Sequence, residues 1–160
     1  MKLDRIVGVW IFAMASLPAF GAMCTISANG MDLGIYTPNQ ALPVDSAGRI
    51  TINCTKGALD TMPMSIPYTL ELSRGGSPGF SPREMSSGGN RLRYNFYTDA
   101  QRLSIWGDGS GGTSAVNGSL QLQPSPGTAS MSHSIYGRIF ASQNAVPGGY
   151  ADAVIVTVTY

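Results

Sequence analysis

The sequence carries little charge for its length. Asp, Glu, Lys and Arg make up 12% of the 160 residues, and 10 basic against 9 acidic residues give a formal net charge of +1. A nucleic-acid-binding surface needs clustered Lys and Arg to displace counterions, whereas here two lysines, Lys2 and Lys56, accompany eight scattered arginines. A hydrophobic content of 43% excludes disorder as the general state. We therefore expect a folded domain that does not bind nucleic acid.

Cysteine and histidine are also scarce. The chain holds two cysteines, Cys24 and Cys54, and a single histidine, His133, with no CxxC pair. Metal sites need more ligands than this, so we expect no metal and no cofactor. In an exported chain, two cysteines indicate one disulfide; it would close a loop of about 30 residues and stabilise the fold by roughly 3 kcal/mol.

Only one long hydrophobic run occurs, and it lies at the N-terminus. Lys2 and Arg5 precede residues 6–15, and small residues follow up to position 22. This pattern predicts a secretory signal peptide over residues 1–21, cleaved after Gly21 or one residue later, and a single mature domain over 22–160. The run of about ten residues is too short to span a bilayer, so we expect no membrane insertion of the mature chain. Cleavage would leave eight basic and eight acidic residues, a neutral chain.

The remaining chain lacks any amphipathic helical stripe. It contains 20 glycines and 10 prolines, and its apolar residues alternate with polar ones, which indicates half-buried strands. The clearest alternations lie at residues 50–54, 66–72, 92–96, 120–122 and 154–160. We predict an all-β fold, an antiparallel two-sheet sandwich of about seven strands, with an open barrel as the alternative.

The last predicted strand leaves its outer edge uncovered. It is rich in β-branched residues, and its apolar face consists of Val154, Val156, Val158 and Tyr160. No hairpin follows to pair with it, and free backbone groups beside apolar side chains are a liability that proteins normally manage. Two interpretations remain: a core strand that happens to be last, or an edge to which another chain adds a strand.

Catalytic motifs find little support. Gly107–Gly112 faintly resembles a protease nucleophile loop, but an extra glycine separates Asp108 from Ser110, and His133 lies in no supporting pattern. We expect no enzyme. Aromatic residues in a sandwich more often pack in the core. Phe80 and Trp106 are candidate surface-binding aromatics if they are exposed at loop tips.

Several segments, taken in order, resemble the spore coat protein U domain family. They are Cys24, 48–54, 68–73, 83–85, 92–99, 106–109, 136–139 and 149–160. The resemblance spans essentially the whole mature chain. It implies an incomplete immunoglobulin-like sandwich lacking its final strand, shared by a spore coat protein and by subunits of archaic chaperone–usher pili.

The partners follow from the same resemblance. It implies that a periplasmic chaperone lends a strand to the open groove, that an outer-membrane usher assembles the fibre, and that a neighbouring subunit's N-terminal extension replaces the chaperone strand. Val154, Val156, Val158 and Tyr160 would then line the groove and its edge. The expected location is the periplasm and then the cell surface, in a pilus or a spore coat.

One departure from the family pattern concerns the donor segment. After the predicted cleavage only Ala22 and Met23 precede Cys24, whereas polymerising subunits carry about a dozen residues there. We therefore expect a chain that accepts a strand but donates none, at the tip of a fibre or alone in a coat. The alternative function is a stand-alone secreted module that binds a carbohydrate or another surface.

Overall fold

The computed structural model describes residues 8–15, 21–57, 61–124 and 127–160. Over these ranges the chain forms strands and no helix, and therefore no helix that could cross a membrane. The strands are β1 (Gly8–Ala15), β2 (Ala22–Ala28), β3 (Met31–Asp32), β4 (Val44–Lys56), β5 (Met64–Leu72), β6 (Arg83–Ser87), β7 (Asn90–Tyr97), β8 (Val116–Leu122), β9 (Thr128–Ile139) and β10 (Asp152–Thr159).

The strands form two five-stranded sheets. One sheet has the order β3-β1-β10-β5-β8, and the other has the order β2-β4-β9-β7-β6. Every pairing is antiparallel except that of β1 with β10, which is parallel. The all-β, immunoglobulin-like sandwich expected from the sequence is confirmed.

Alternation along each strand decides which side chains face the core between the sheets. In β4, Ile50, Ile52 and Cys54 are buried while Asn53 and Thr55 are exposed. Burying every second apolar side chain in this way stabilises a sheet that faces water on its other side.

The described chain has more strands than the seven expected. The first half of β9 is rich in serine and largely exposed, so it shows no clear apolar alternation. β1 comes from the hydrophobic run assigned to the signal peptide, and the predicted cleavage remains a prediction.

The predicted disulfide is present. Cys24 in β2 lies opposite Cys54 in β4, and their sulfur atoms are 2.02 Å apart. Both cysteines are buried. The bond therefore cross-links β2 to β4, its neighbour in the second sheet.

Candidate functional site

Strand β10 lies at the centre of its sheet, between β5 and β1. The side chains of Val154, Val156 and Val158 are fully buried in the core, and Tyr160 is half-buried. The Tyr160 hydroxyl accepts a hydrogen bond of 3.3 Å from the backbone N–H of Cys24. The four residues expected to line a groove thus form one apolar row along β10.

The backbone of β10 presents alternate residues to its two neighbours. Ser73 N–H donates to Ile155 O at 2.9 Å, on the β5 side. Because hydrogen-bonding groups alternate along a strand, the backbone groups of Val154, Val156 and Val158 point the other way, towards β1. We call these backbone N–H and C=O groups the acceptor edge.

Strand β1 occupies the acceptor edge. Seven consecutive residues pair in parallel with β10, from Val9 opposite Asp152 to Ala15 opposite Val158. On its other side, β1 meets the short strand β3 through Gly8 and Val9 only. The edge that the sequence leaves open is therefore paired in this structure with the segment predicted to be cleaved.

A buried carboxylate anchors the start of β10. Asp152 accepts hydrogen bonds from the Tyr94 hydroxyl at 2.6 Å and from the backbone N–H groups of Gly76 and Ala153 at 2.8 Å each. Burial, followed by the nearby Asp152 charge, raises the pKa of Tyr94 far above its usual value. The phenol therefore stays protonated and keeps donating to the carboxylate.

A buried arginine lies beside this anchor. The Arg83 guanidinium donates to Ser73 O, Trp106 O and Asn95 Oδ1, at 2.6–3.1 Å. Burial lowers its pKa to about 10, while the Asp152 charge acts in the opposite direction, so the group remains cationic at neutral pH. Its fork of donors joins β6, β7 and the end of β5 into one unit.

Sequence reasoning missed this polar cluster of Arg83, Asn95, Tyr94 and Asp152. A signal was present for Arg83, which shares strand parity with the buried Met85 and is therefore predicted to face the core. Parity gave no such signal for Asn95, because it lies between Tyr94 and Phe96 and so on the opposite face of β7. Nor does parity predict that these side chains meet one another.

The two candidate surface aromatics have different positions. Trp106 is fully buried and its indole N–H donates to Leu70 O at 3.2 Å, so it is a core residue and not a surface-exposed aromatic. The apolar part of the indole packs in the core, and its polar N–H has the Leu70 carbonyl as its acceptor. Phe80 is half-buried, with its ring centroid 5.1 Å from the Arg83 guanidinium carbon.

The residues weighed as a catalytic set do not assemble. Ser110 Oγ donates to Asp108 Oδ1 at 2.6 Å, which closes a local turn. His133 Nε2 is instead hydrogen-bonded to the Tyr68 hydroxyl at 2.7 Å. Among the residues that the structure describes, no three or more His, Cys, Asp or Glu side chains are grouped so that they could hold a metal ion.

Comparison with known proteins gives matches of three kinds: a family profile, a protein sequence and a solved structure. The profile of the Spore Coat Protein U domain family matches residues 11–157. Protein U of Myxococcus xanthus is 30% identical over 151 residues, which cover 88% of this chain and 79% of that protein.

The third match is a solved structure, that of the CsuC–CsuE chaperone–tip adhesion subunit pre-assembly complex from archaic chaperone–usher Csu pili of Acinetobacter baumannii. One of its chains is 23% identical with a TM-score of 0.53. The match covers 87% of the present chain and 40% of the solved one, so this chain spans less than half the length of that relative.

Proposed function

The chain belongs to the Spore Coat Protein U domain family, and from that premise we propose that it is a secreted structural subunit of a cell-surface fibre or coat, assembled by the chaperone–usher route. One observation carries the proposal. The acceptor edge of β10 is completed by a strand that pairs in parallel and comes from the segment predicted to be removed. Without that strand, the sandwich offers a free edge beside a buried row of valines.

A donated strand would use the acceptor edge in two ways. Its backbone would pair with the N–H and C=O groups of Val154, Val156 and Val158, which gives affinity. Its alternate side chains would enter the space beside the valine row, which gives register. Such recognition needs little charge, which fits a mature chain predicted to be neutral.

We assign the chains that donate a strand by analogy with chaperone–usher pili. A periplasmic chaperone supplies the first strand, and at the outer-membrane usher a neighbouring fibre subunit supplies its replacement. The similar solved complex contains a chaperone and a tip adhesion subunit, as its title states, which supports the first of these partners. The chain would pass through the periplasm to the cell surface and end in a pilus or coat.

A position at the tip of the fibre suits the predicted cleavage. If the cut falls after Gly21, two residues remain before Cys24, and Cys24 is already fixed in β2. A segment this short cannot reach along a neighbouring β10. The subunit would accept a strand and donate none.

Co-expression with a chaperone tests the proposal. Residues 22–160 should be recovered as a one-to-one complex with a periplasmic chaperone of the archaic chaperone–usher type, and should aggregate or degrade without it. The matched variants are Val156→Pro, which removes a backbone N–H of the acceptor edge, and Ala41→Pro, which alters an exposed bend. Only the first should abolish capture; a stable, monodisperse 22–160 monomer that ignores the chaperone would contradict strand acceptance.

A further inference from the structure

We propose that β1 is an intramolecular placeholder, which closes the acceptor edge while it is attached and opens it when it is removed. This role presupposes the proposed function, because a placeholder matters only if another strand later takes the same edge. The intact chain would then be closed to donors, and cleavage would be the event that makes it competent for assembly.

The pairing register supports the placeholder role. β1 covers β10 from Asp152 to Val158, so it spans all three residues whose backbone groups form the acceptor edge. A donor strand cannot form the same ladder while β1 is present, since each N–H and C=O already faces a partner. Because β1 is part of the same chain, its effective concentration at the edge is high, in the millimolar range for short connections.

The composition of β1 suits both of its roles. Its sequence, GVWIFAMA, contains no charged or strongly polar residue. Such a segment is favourable in a secretion signal, and its β-branched and aromatic residues also favour a strand. One apolar segment can therefore direct export and complete a sheet.

The predicted cleavage point separates one strand from the rest of the domain. Gly21 is exposed, whereas its neighbour Ala22 is buried as the first residue of β2. Gly57 N–H donates to Gly21 O at 2.9 Å, and the Cys24–Cys54 bond fixes β2 just beyond. Cleavage after Gly21 would release β1 and leave every other described strand paired except the two-residue β3, whose sheet partner is β1.

A full-length chain that can be cut after folding tests the role. Residues 16–20 are replaced by a specific protease site, the protein is folded with its disulfide formed, and half of it is clipped. A fluorescent synthetic peptide of residues 6–15, with added lysines for solubility, is then offered at 1 M urea, and bound peptide is measured after gel filtration. We expect at least tenfold more uptake by the clipped chain; equal uptake would overturn the placeholder role.

A second variant opens the edge without cutting. Ile11→Pro/Phe12→Pro in the intact chain removes two adjacent N–H groups of β1. Adjacent N–H groups of a strand point to opposite sides, so one of the two faces β10. Its uptake of the peptide should match that of the clipped chain. The control, Ala41→Pro/Leu42→Pro, places the same change in an exposed bend and should stay closed.

Amide hydrogen exchange separates loss of β1 from unfolding. The amides of Val154, Val156 and Val158 should lose protection in the clipped and the β1-proline chains, while those of β4 keep theirs. If the proline variant also loses protection in β4, it has unfolded, and the clipped chain alone decides the outcome. Unchanged protection of the three valines after clipping and removal of β1 would overturn the placeholder role.

Chaperone capture distinguishes failure of this role from failure of the proposed function. Equal capture of clipped and unclipped chains would refute the placeholder and leave strand acceptance standing. No capture of either chain, together with the tenfold difference in peptide uptake, would refute the chaperone route and leave the placeholder standing.

Discussion

The strands on either side of the predicted cleavage point, β1 and β2, are held in different ways. Each pairs through seven residues with one main neighbour, β1 with β10 and β2 with β4. The β2 pairing is antiparallel and is cross-linked by the Cys24–Cys54 disulfide, whereas the β1 pairing is parallel and has no covalent link. Ladders of the same length thus differ in their covalent support, and the proposed replacement of β1 concerns the ladder that has no cross-link.

The rest of the sandwich belongs with β2. We call β2, β4–β10 and the buried cluster of Arg83, Asn95, Tyr94 and Asp152 the frame. If β1 is replaceable, a defect in the frame should lower the free energy of unfolding by the same amount with β1 attached or clipped, since distant effects add.

Removing the buried guanidinium should have the largest effect. Arg83→Met leaves Ser73 O and Trp106 O without their donor, and it leaves Asn95 Oδ1 with the Phe96 N–H alone. We expect a loss of about 3–5 kcal/mol in the free energy of unfolding, measured in urea. The control Arg74→Met removes an exposed side chain that contacts Pro78 O and should cost under about 0.5 kcal/mol. Similar losses for both variants would show that the buried hydrogen bonds of Arg83 do not stabilise the fold.

Removing the disulfide should have the next largest effect. Cys24→Ala/Cys54→Ala opens a loop with a sequence separation of 30 residues, and we expect a loss of about 3 kcal/mol by urea unfolding. Full reduction of the unaltered protein is the control and should give a similar loss. If the double variant also freed β2 from β4, the loss would exceed this value. No measurable loss would show that pairing with β4 alone holds β2.

The Tyr94–Asp152 contact should show itself in alkaline solution. Tyr94→Phe removes a 2.6 Å hydrogen bond to a buried carboxylate, at a cost of about 1–2 kcal/mol at pH 7. Because the folded pKa of Tyr94 is raised above the unfolded value near 10, its contribution is complete below about pH 10 and is lost as pH rises beyond it. Unfolding measured from pH 8 to 11 should therefore show a steeper decline for the unaltered protein; parallel curves would contradict this.

An exposed ion pair should have the smallest effect. Asp45 accepts two hydrogen bonds from Arg138, at 2.7 and 2.8 Å, and this arginine holds the pKa of Asp45 below its usual value. Solvent screening limits the cost of Asp45→Asn to about 0.5 kcal/mol. The cost should be present above about pH 4 and vanish as pH falls through the lowered pKa, which unfolding at pH 2–7 would measure. A cost that persists at pH 2 would point to packing instead.

The pattern of residues predicted the frame better than it predicted the site. Alternation at Ile50–Cys54 and at Val154–Val158 identified strands with their buried faces, and both are confirmed. Burial of Trp106 was the favoured interpretation for an aromatic residue of a sandwich, but the sequence left its exposure beside a glycine-rich loop open, because the strand that covers it was not known. Its indole contacts the carbonyl of Leu70, 36 residues away in the sequence.

The residue pattern alone predicted the all-β architecture and the disulfide, which the structure confirms, and it predicted a cleavable apolar segment at the N-terminus, because alternation, the number of cysteines and hydrophobic runs can be recognised without the fold. Only the tertiary structure decided that this segment lies in parallel beside β10 and that Arg83, Asn95 and Asp152 share one buried cluster. The physical reason is that parity specifies which face of a strand is buried, but not which strand pairs with its edge. Edge pairing depends on contacts between residues far apart in the chain.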